Sequence, residues 1–335
     1  MLDPRKIKIL EAIINDYISS AEPIGSRTIA RKYDLGVSSA TIRNEMSDLE
    51  EMGYIIQPHA SSGRVPSDKG YRLYVNEVMP RRQLSRDQRE YLKRAVAVNL
   101  NRIDQLMRDV ARAVAYLTNY TTVASEPLTK RHKIKHIQIV PVDDTSLALM
   151  LITDLKAVKN QVVAVQKAPN LAYAARISVE LTRILQGSSA DDLVELLIGM
   201  AKHRFEEQGL DAELVPPIVA AIHAALVSAD SVQVYTGGMK NILDFPEFAD
   251  PDKARTIVGA LEEKEDILTL MADNSDQIQI IIGEENENES LRDCSVIKAK
   301  VRINDSVSGN IAIIGPTRMD YSQVIAVLGG ILRSR

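Results

Sequence analysis

The sequence predicts an α+β protein: an amino-terminal winged helix-turn-helix followed by an antiparallel-sheet domain with a helical insertion. Three observations carry this. Residues 4–51 show three apolar stripes at helical spacing separated by short turns. Residues 54–67 hold two short extended runs around a Ser/Gly tip. Beyond residue 133 several runs alternate with period two, and a helical block at about 190–250 interrupts them.

Residues 4–20, PRKIKILEAIINDYISS, open on Asp3-Pro4, a cap residue before a first-turn proline, and Ile7, Leu10, Ile14 and Tyr17 recur as one stripe. EPIGSRTIARKY adds a turn and a short helix starting at Gly25 or Ser26, with Ile29 and Tyr33 inward. DLGV is the turn, and a third helix starts at Ser38 or Ser39 with Ile42, Met46 and Leu49 buried. Its opposite stripe is Ala40, Arg43, Asn44 and Ser47. Small residues there admit the helix to a major groove, where Arg43 matches a guanine edge and Asn44 an adenine edge. The helix start, with Ser38, Ser39 and Thr41, can hold a phosphate through backbone N–H groups. YIIQ and GRVPS then flank the tip Pro58-His59-Ala60-Ser61-Ser62-Gly63, a wing carrying Arg64 and His59 toward backbone phosphate. Residues 1–79 hold ten basic and eleven acidic side chains, so a plain three-helix packing unit stands as the alternative.

This stretch resembles the heat-inducible transcription repressor HrcA family of bacteria. The likeness lies in EPIGSRTIA, in VSSATIRNEMSDLEEMGYIIQPHASSGRVPSDKGYRLYV and in the C-terminal GNIAIIGPTRMDYSQVIAVL. It implies a homodimeric repressor on double-stranded DNA, bound to the inverted repeat called CIRCE upstream of groE and dnaK chaperone operons. It implies a winged helix followed by a GAF-like domain with an inserted dimerisation segment. It also implies that the GroE chaperonin keeps the repressor active and that heat stress removes this support. Only three Phe and no Trp among 335 residues fit a core of modest stability.

The expected division is residues 1–80, a linker or dimerisation helix at 81–120, and a GAF-like domain at 121–335 interrupted at about 190–250. Val96, Leu100, Ile103, Met107, Val110, Val114 and Leu117 alternate steps of four and three, a seam for another helix. That partner is either this chain or a second copy. Strands are expected in KIKHIQIVPV, TSLALMLIT, NQVVAVQ, SVQVYTG, DQIQIIIG, SVIKAKV and GNIAIIG, as one sheet of about six, with helices near 170–186, 190–207, 213–228, 251–263 and 317–332.

Chemistry is not expected. His59, His132, His136, His203 and His223 lack metal-ligand spacing, and Cys294, the single cysteine, reads as a packed small hydrophobe. No nucleophile elbow or phosphate-cradling glycine loop appears, so no enzyme, cofactor or metal is expected. No apolar run of about 18 residues is seen, which makes the cytoplasm the default and a membrane partner unexpected. The net charge of −4 hides an asymmetry: +5 over residues 80–112 and −11 over residues 244–293. The acidic segment keeps a second reading open, a winged-helix protein-interaction scaffold, and the sheet domain a third, a ligand-responsive regulator.

Overall fold

The computed structural model describes residues 2–59, 62–97, 103–126, 131–193, 195–272, 277–302 and 308–332. Helices and antiparallel strands are mixed throughout, and the chain divides into two compact units, Met1–Leu128 with Gln233–Arg335, and Thr129–Val232. The expected insertion at about 190–250 is therefore corrected at both ends. The inserted unit starts some sixty residues earlier, because three of the expected strands pair only with one another.

The first unit opens with α1 (Pro4–Ser20), α2 (Ser26–Lys32) and α3 (Ser39–Glu51), then β1 (Ile55–Ile56) and β2 (Val65–Pro66). It continues through α4 (Asp68–Leu73), extended by a π-helical turn over Tyr74–Val78, then α5 (Arg86–Ala97), α6 (Ile103–Thr118) and β3 (Thr121–Ser125). The Asp3 carboxylate accepts the Arg5 N–H ahead of Pro4, and α1 ends where Ala21 turns left-handed at φ 56°. Its buried face is broader than the expected stripe: Ile9, Leu10, Ala12, Ile13 and Ile14 are all buried. The reason is that α1 packs on α3, β2 and the π-helical turn at once.

The second unit comprises β4 (Ile134–Asp143), β5 (Ser146–Thr153), β6 (Val158–Ala164), α7 (Leu171–Leu185), α8 (Glu195–Glu207) and α9 (Val215–Asp230). Its strands form an antiparallel meander in the order β4-β5-β6. On the open edge of β4, the N–H groups of Ile137 and Ile139 donate to the hydroxyls of Thr182 and Ser178 on α7, at 3.0 and 2.9 Å. A helix thereby covers an edge that would otherwise template another strand. Against the expectation, one helical stretch, Ala212–Asp230, is long and apolar enough to cross a membrane by length and composition. Its Val215, Ile218, Ile222 and Leu226 are buried in the core of this unit, the packing of an interior helix.

The chain then returns to the first unit with β7 (Val234–Gly237), α10 (Pro251–Glu262), α11 (Lys264–Leu270), β8 (Gln279–Ile282), β9 (Cys294–Arg302), β10 (Ser308–Pro316) and α12 (Tyr321–Leu332). These strands and β3 make a five-stranded antiparallel sheet in the order β7-β3-β10-β9-β8. The single sheet of about six strands is thus two sheets, of five and three. Alternation sorts the large sheet's side chains: Ile297, Ile311 and Ile313 join the core shared with α5, α6 and α12, whereas Val296, Ala312 and Ile314 meet Ile257, Leu261 and Ile267 of α10 and α11.

Met107, Val110 and Val114 of the expected seam are buried, and α6 packs on α5, α12, β3 and β7. At its described positions Val96, Met107, Val110 and Val114, the seam is filled from within the chain. Leu100 lies outside the described residues. The expected boundary at residue 80 does not part the core either, since one cluster of buried residues runs from Ile9 through Tyr71 to Ile331.

Polar links reinforce that continuity. Arg318 donates to the Ile18 carbonyl at 2.9 Å, binds the Glu247 carboxylate and lies over the Phe245 ring. Arg72 binds both oxygens of Glu285 and donates to the Ile280 carbonyl at 2.6 Å. Burial pushes the Glu285 carboxyl up, but bonds from Arg72 and the Ile282 N–H outweigh it and hold the carboxyl below its ordinary value. A depressed carboxyl stabilises the fold above its unfolded pKa, and that stability is lost as pH falls through the folded value. Glu285→Gln is therefore expected to lower stability at pH 7 by at most about 1 kcal/mol, because the pair is partly exposed. The deficit should vanish once acid has protonated the parent's Glu285. Urea melts of parent and variant from pH 7 down to 3 read this directly; a deficit constant across that range would remove the ion pair as its cause.

Candidate nucleic-acid interface

The third helix is built to show one face. Ser38 caps it: its hydroxyl accepts the Thr41 N–H at 3.2 Å and lies 3.0 Å from the Thr41 hydroxyl. Ile42, Met46 and Leu49 are buried beneath, and Ala40, Arg43, Asn44 and Ser47 are exposed on the other side. Among the described residues neither Arg43 nor Asn44 is drawn into a hydrogen bond or ion pair. Their donors are unspent. Ser38 is exposed and Ser39 and Thr41 half-buried, so the helix start is reachable, although the Ser38 hydroxyl is already committed to the cap.

Four carboxylates share this helix, which by charge alone would repel a polyanion. The fold neutralises most of them. Lys6 of α1 binds Glu45 at 2.6 Å and Asp48 at 2.8 Å, and Arg5 approaches Glu45 at 3.7 Å. The hydrogen bonds that Lys6 donates to Asp48 and Glu45 raise its ammonium above its ordinary value, so it stays charged. Glu50 is bound by Arg64. Only Glu51 stands apart, exposed at the last turn. The near-balance of charge over residues 1–79 thus conceals a helix whose acids are largely occupied. Sequence reading missed the role of Lys6, and the signal lay in an α1 lysine on the face toward α3.

The hairpin corrects one expectation. Arg64 does not stand at the tip: its backbone exchanges two hydrogen bonds with Ile24, both 2.9 Å, and its guanidinium holds Glu50 at 2.8 and 2.7 Å. The reason is the ladder itself. Ile56 pairs Val65 and Ile55 pairs Pro66, so residue 64 falls on the Ile24 bridge rather than in the loop. Gly63 is required beside it, since an added Cβ would come within 2.5 Å of the Ile24 carbonyl carbon. His59 is exposed, its N–H donating to the Ser62 hydroxyl at 3.0 Å. Ala60 and Ser61 of the tip lie outside the described residues. Of the other histidines, His132 sits 2.8 Å from the Thr153 hydroxyl while His136 is exposed, so the two do not converge. Cys294 is buried.

Comparison with known proteins decides the family. Residues 104–325 match the family described as HrcA protein C terminal domain. The heat-inducible transcription repressor HrcA of Ruminiclostridium cellulolyticum is 41% identical over 97% of this chain and 94% of that protein. The chain belongs to the HrcA family. The HrcA protein of Clostridioides difficile is 40% identical, with 98% of this chain and 96% of that one covered. These HrcA relatives extend the likeness over the amino-terminal helices, which the matched family segment does not reach. Among solved structures, the crystal structure of a hypothetical protein at 2.2 Å resolution is 25% identical, with a TM-score of 0.66 over 99% of this chain and 97% of that one.

Proposed function

We propose that this chain is a DNA-binding transcription repressor of heat-shock genes, active as a homodimer on the CIRCE inverted repeat. In this reading α1–α3 with the β1–β2 hairpin act as a winged helix, and α3 enters the major groove with Ala40, Arg43, Asn44 and Ser47 facing the bases. Ser38, Ser39 and Thr41 lie at the phosphate by the helix start, and His59 reaches the backbone beside the groove. The observation that carries it is the exposed Arg43–Asn44 pair, without a partner among the described residues, on a helix whose Glu45, Asp48 and Glu50 are held by Lys6 and Arg64. The five-stranded sheet with its helices is then the GAF-like domain.

An inverted repeat needs two copies related by a two-fold axis. The inserted unit offers a surface for that pairing. On the outward face of its sheet, Val140 stands beside Ala148 and Ala148 beside Val162, and Val142 and Val162 are 62% and 75% exposed. A solvated sheet face ordinarily carries polar residues. We assign residues 129–232 as the dimerisation segment on that ground. The support by GroE and its loss on heating complete the proposal. Such control needs a protein that opens readily and shows apolar surface to a chaperonin.

Footprinting on an inverted repeat upstream of a chaperone operon, with and without chaperonin, tests the reading. Protection confined to the two half-sites is the expected result; uniform protection or none rejects it. The Arg64–Glu50 pair adds a sharper outcome. Glu50→Gln frees a guanidinium for phosphate, so binding should tighten on every sequence and the log–log salt slope steepen by about one unit. Arg64→Ala should show no such gain. Gel shifts from 50 to 200 mM salt measure both, and an unchanged slope for Glu50→Gln would keep Arg64 out of the interface.

A further inference from the structure

Helix α12, YSQVIAVLGGIL, is apolar nearly all round, buried on one face and only partly covered on the other. Gln323, Val324, Val327, Leu328 and Ile331 are buried in the core, whereas Ile325, Ala326 and Gly329 are only half-buried and line a groove of about 750 Å³. The groove runs between α12, α5 and residues 79–84, the stretch that leads from the π-helical turn into α5. A helix with two apolar faces normally buries both. Here one is open.

The groove is preformed rather than a packing flaw. Leu84 and Leu92 rest on Gly330, where an added Cβ would lie 2.7 and 3.1 Å from their Cδ1 atoms. At Gly329 the same Cβ would meet no heavy atom within 4 Å, because that position faces the open trough. Four cations, Arg81, Arg82, Arg89 and Lys93, belong to the walls, and none of the described lining residues is acidic. Arg82 is held by Asp320 at 3.0 Å and Lys93 by Glu90 at 3.7 Å. Arg81 and Arg89 have no acidic partner among the described residues.

That combination selects the occupant. A second copy docked here about a two-fold axis would set Arg81 and Arg89 against the same residues of its partner, a like-charge contact. An extended peptide would bring backbone donors and acceptors to a trough whose described uncharged side-chain hydrogen-bonding groups are Gln83 and Ser322 alone. A cationic or neutral amphiphile would leave the guanidinium groups unmatched. An unbranched carboxylate answers both parts: methylenes cover the apolar floor, and the head accepts paired N–H bonds from arginine. The volume falls within the range of small-molecule sites. We infer that this groove binds a single-chain anionic amphiphile, a medium- to long-chain carboxylate, with its tail along Ile325, Ala326 and Gly329 and its head on Arg81 and Arg89.

Calorimetric titration of the full chain with octanoate, decanoate and dodecanoate, each below its micelle concentration, tests this. Saturable binding of one molecule per chain is expected, tightening by up to about fourfold per added methylene. Dodecyltrimethylammonium should bind at least about tenfold more weakly. Gly329→Leu fills the trough without meeting the protein's own atoms. It should keep the parent's circular dichroism and melting temperature and lose carboxylate affinity by about tenfold or more. Arg81→Gln with Arg89→Gln should lose the preference for the anionic head while still binding dodecanol. Equal affinity for both head charges, or undiminished dodecanoate binding by Gly329→Leu, overturns the inference. Sedimentation supplies the remaining outcome: if Gly329→Leu separates an oligomer and leaves dodecanoate binding intact, the groove is a contact between copies and the inference falls.

Discussion

Arg43→Ala is expected to cost about 1–3 kcal/mol at each half-site of the operator and to erase discrimination at one base pair in each. The size follows from the side chain's state in the free protein. Arg43 is exposed and unpaired among the described residues, so none of its binding energy is spent breaking an internal ion pair. In a symmetric dimer both half-sites lose the contact, and the total effect on the inverted repeat approaches twice the single-site value. Asn44→Ala should behave alike at a neighbouring position, and because the residues adjoin, the double variant is expected to depart from additivity. Gel shifts against operators mutated one base pair at a time provide the measurement. A loss of equal size on every operator would make Arg43 a phosphate contact and sink its role in reading bases.

Arg318→Ala is expected to destabilise the first unit by about 3 kcal/mol. The guanidinium is one-tenth exposed and Glu247 one-quarter, so truncation strands a largely buried carboxylate and leaves the Ile18 carbonyl without its donor. The cation over Phe245, itself stacked on Tyr120 at 5.4 Å, is lost as well. Arg318→Lys keeps a charge but lacks the fork that reaches Ile18 and Glu247 together, so it should recover only part of the loss. Chemical denaturation at pH 7 of the parent, both arginine variants and Glu247→Gln is decisive. If the Arg318→Ala penalty is undiminished in a Glu247→Gln background, the stranded carboxylate is not its source.

How far the chain could be read follows from where each signal resides. The caps at Asp3 and Ser38, the helix over residues 39–51 and the exposed stripe of Ala40, Arg43, Asn44 and Ser47 were legible, because capping and period 3.6 are local properties. The strands at 134–143, 146–153, 294–302 and 308–316 were legible for the same reason. β3 was not. TTVAS carries hydroxyls and alanine where an interior strand usually shows branched aliphatics, and only its place between β7 and β10 makes it interior to a sheet. The division of strands between two sheets escaped for a related reason, since alternation marks a strand without naming its neighbour.

The placement of Arg64 carries the same lesson at the candidate site. A basic residue beside a Ser/Gly turn reads as a loop-tip charge, yet one bridge to Ile24 moves it to the base of the hairpin and into the reach of Glu50. The helical seam over 96–117 likewise announced a partner without identifying it, and the partner lay in the same chain.

By itself, then, the sequence determined what neighbouring residues decide together: the helices, their caps, the third helix with its outward Arg43 and Asn44, and the alternating strands. Tertiary structure alone decided which strands share a sheet, which acids Lys6 and Arg64 neutralise, and which face of α12 stays open. Those outcomes depend on side chains distant in sequence coming within a few ångströms, and no local period encodes that distance.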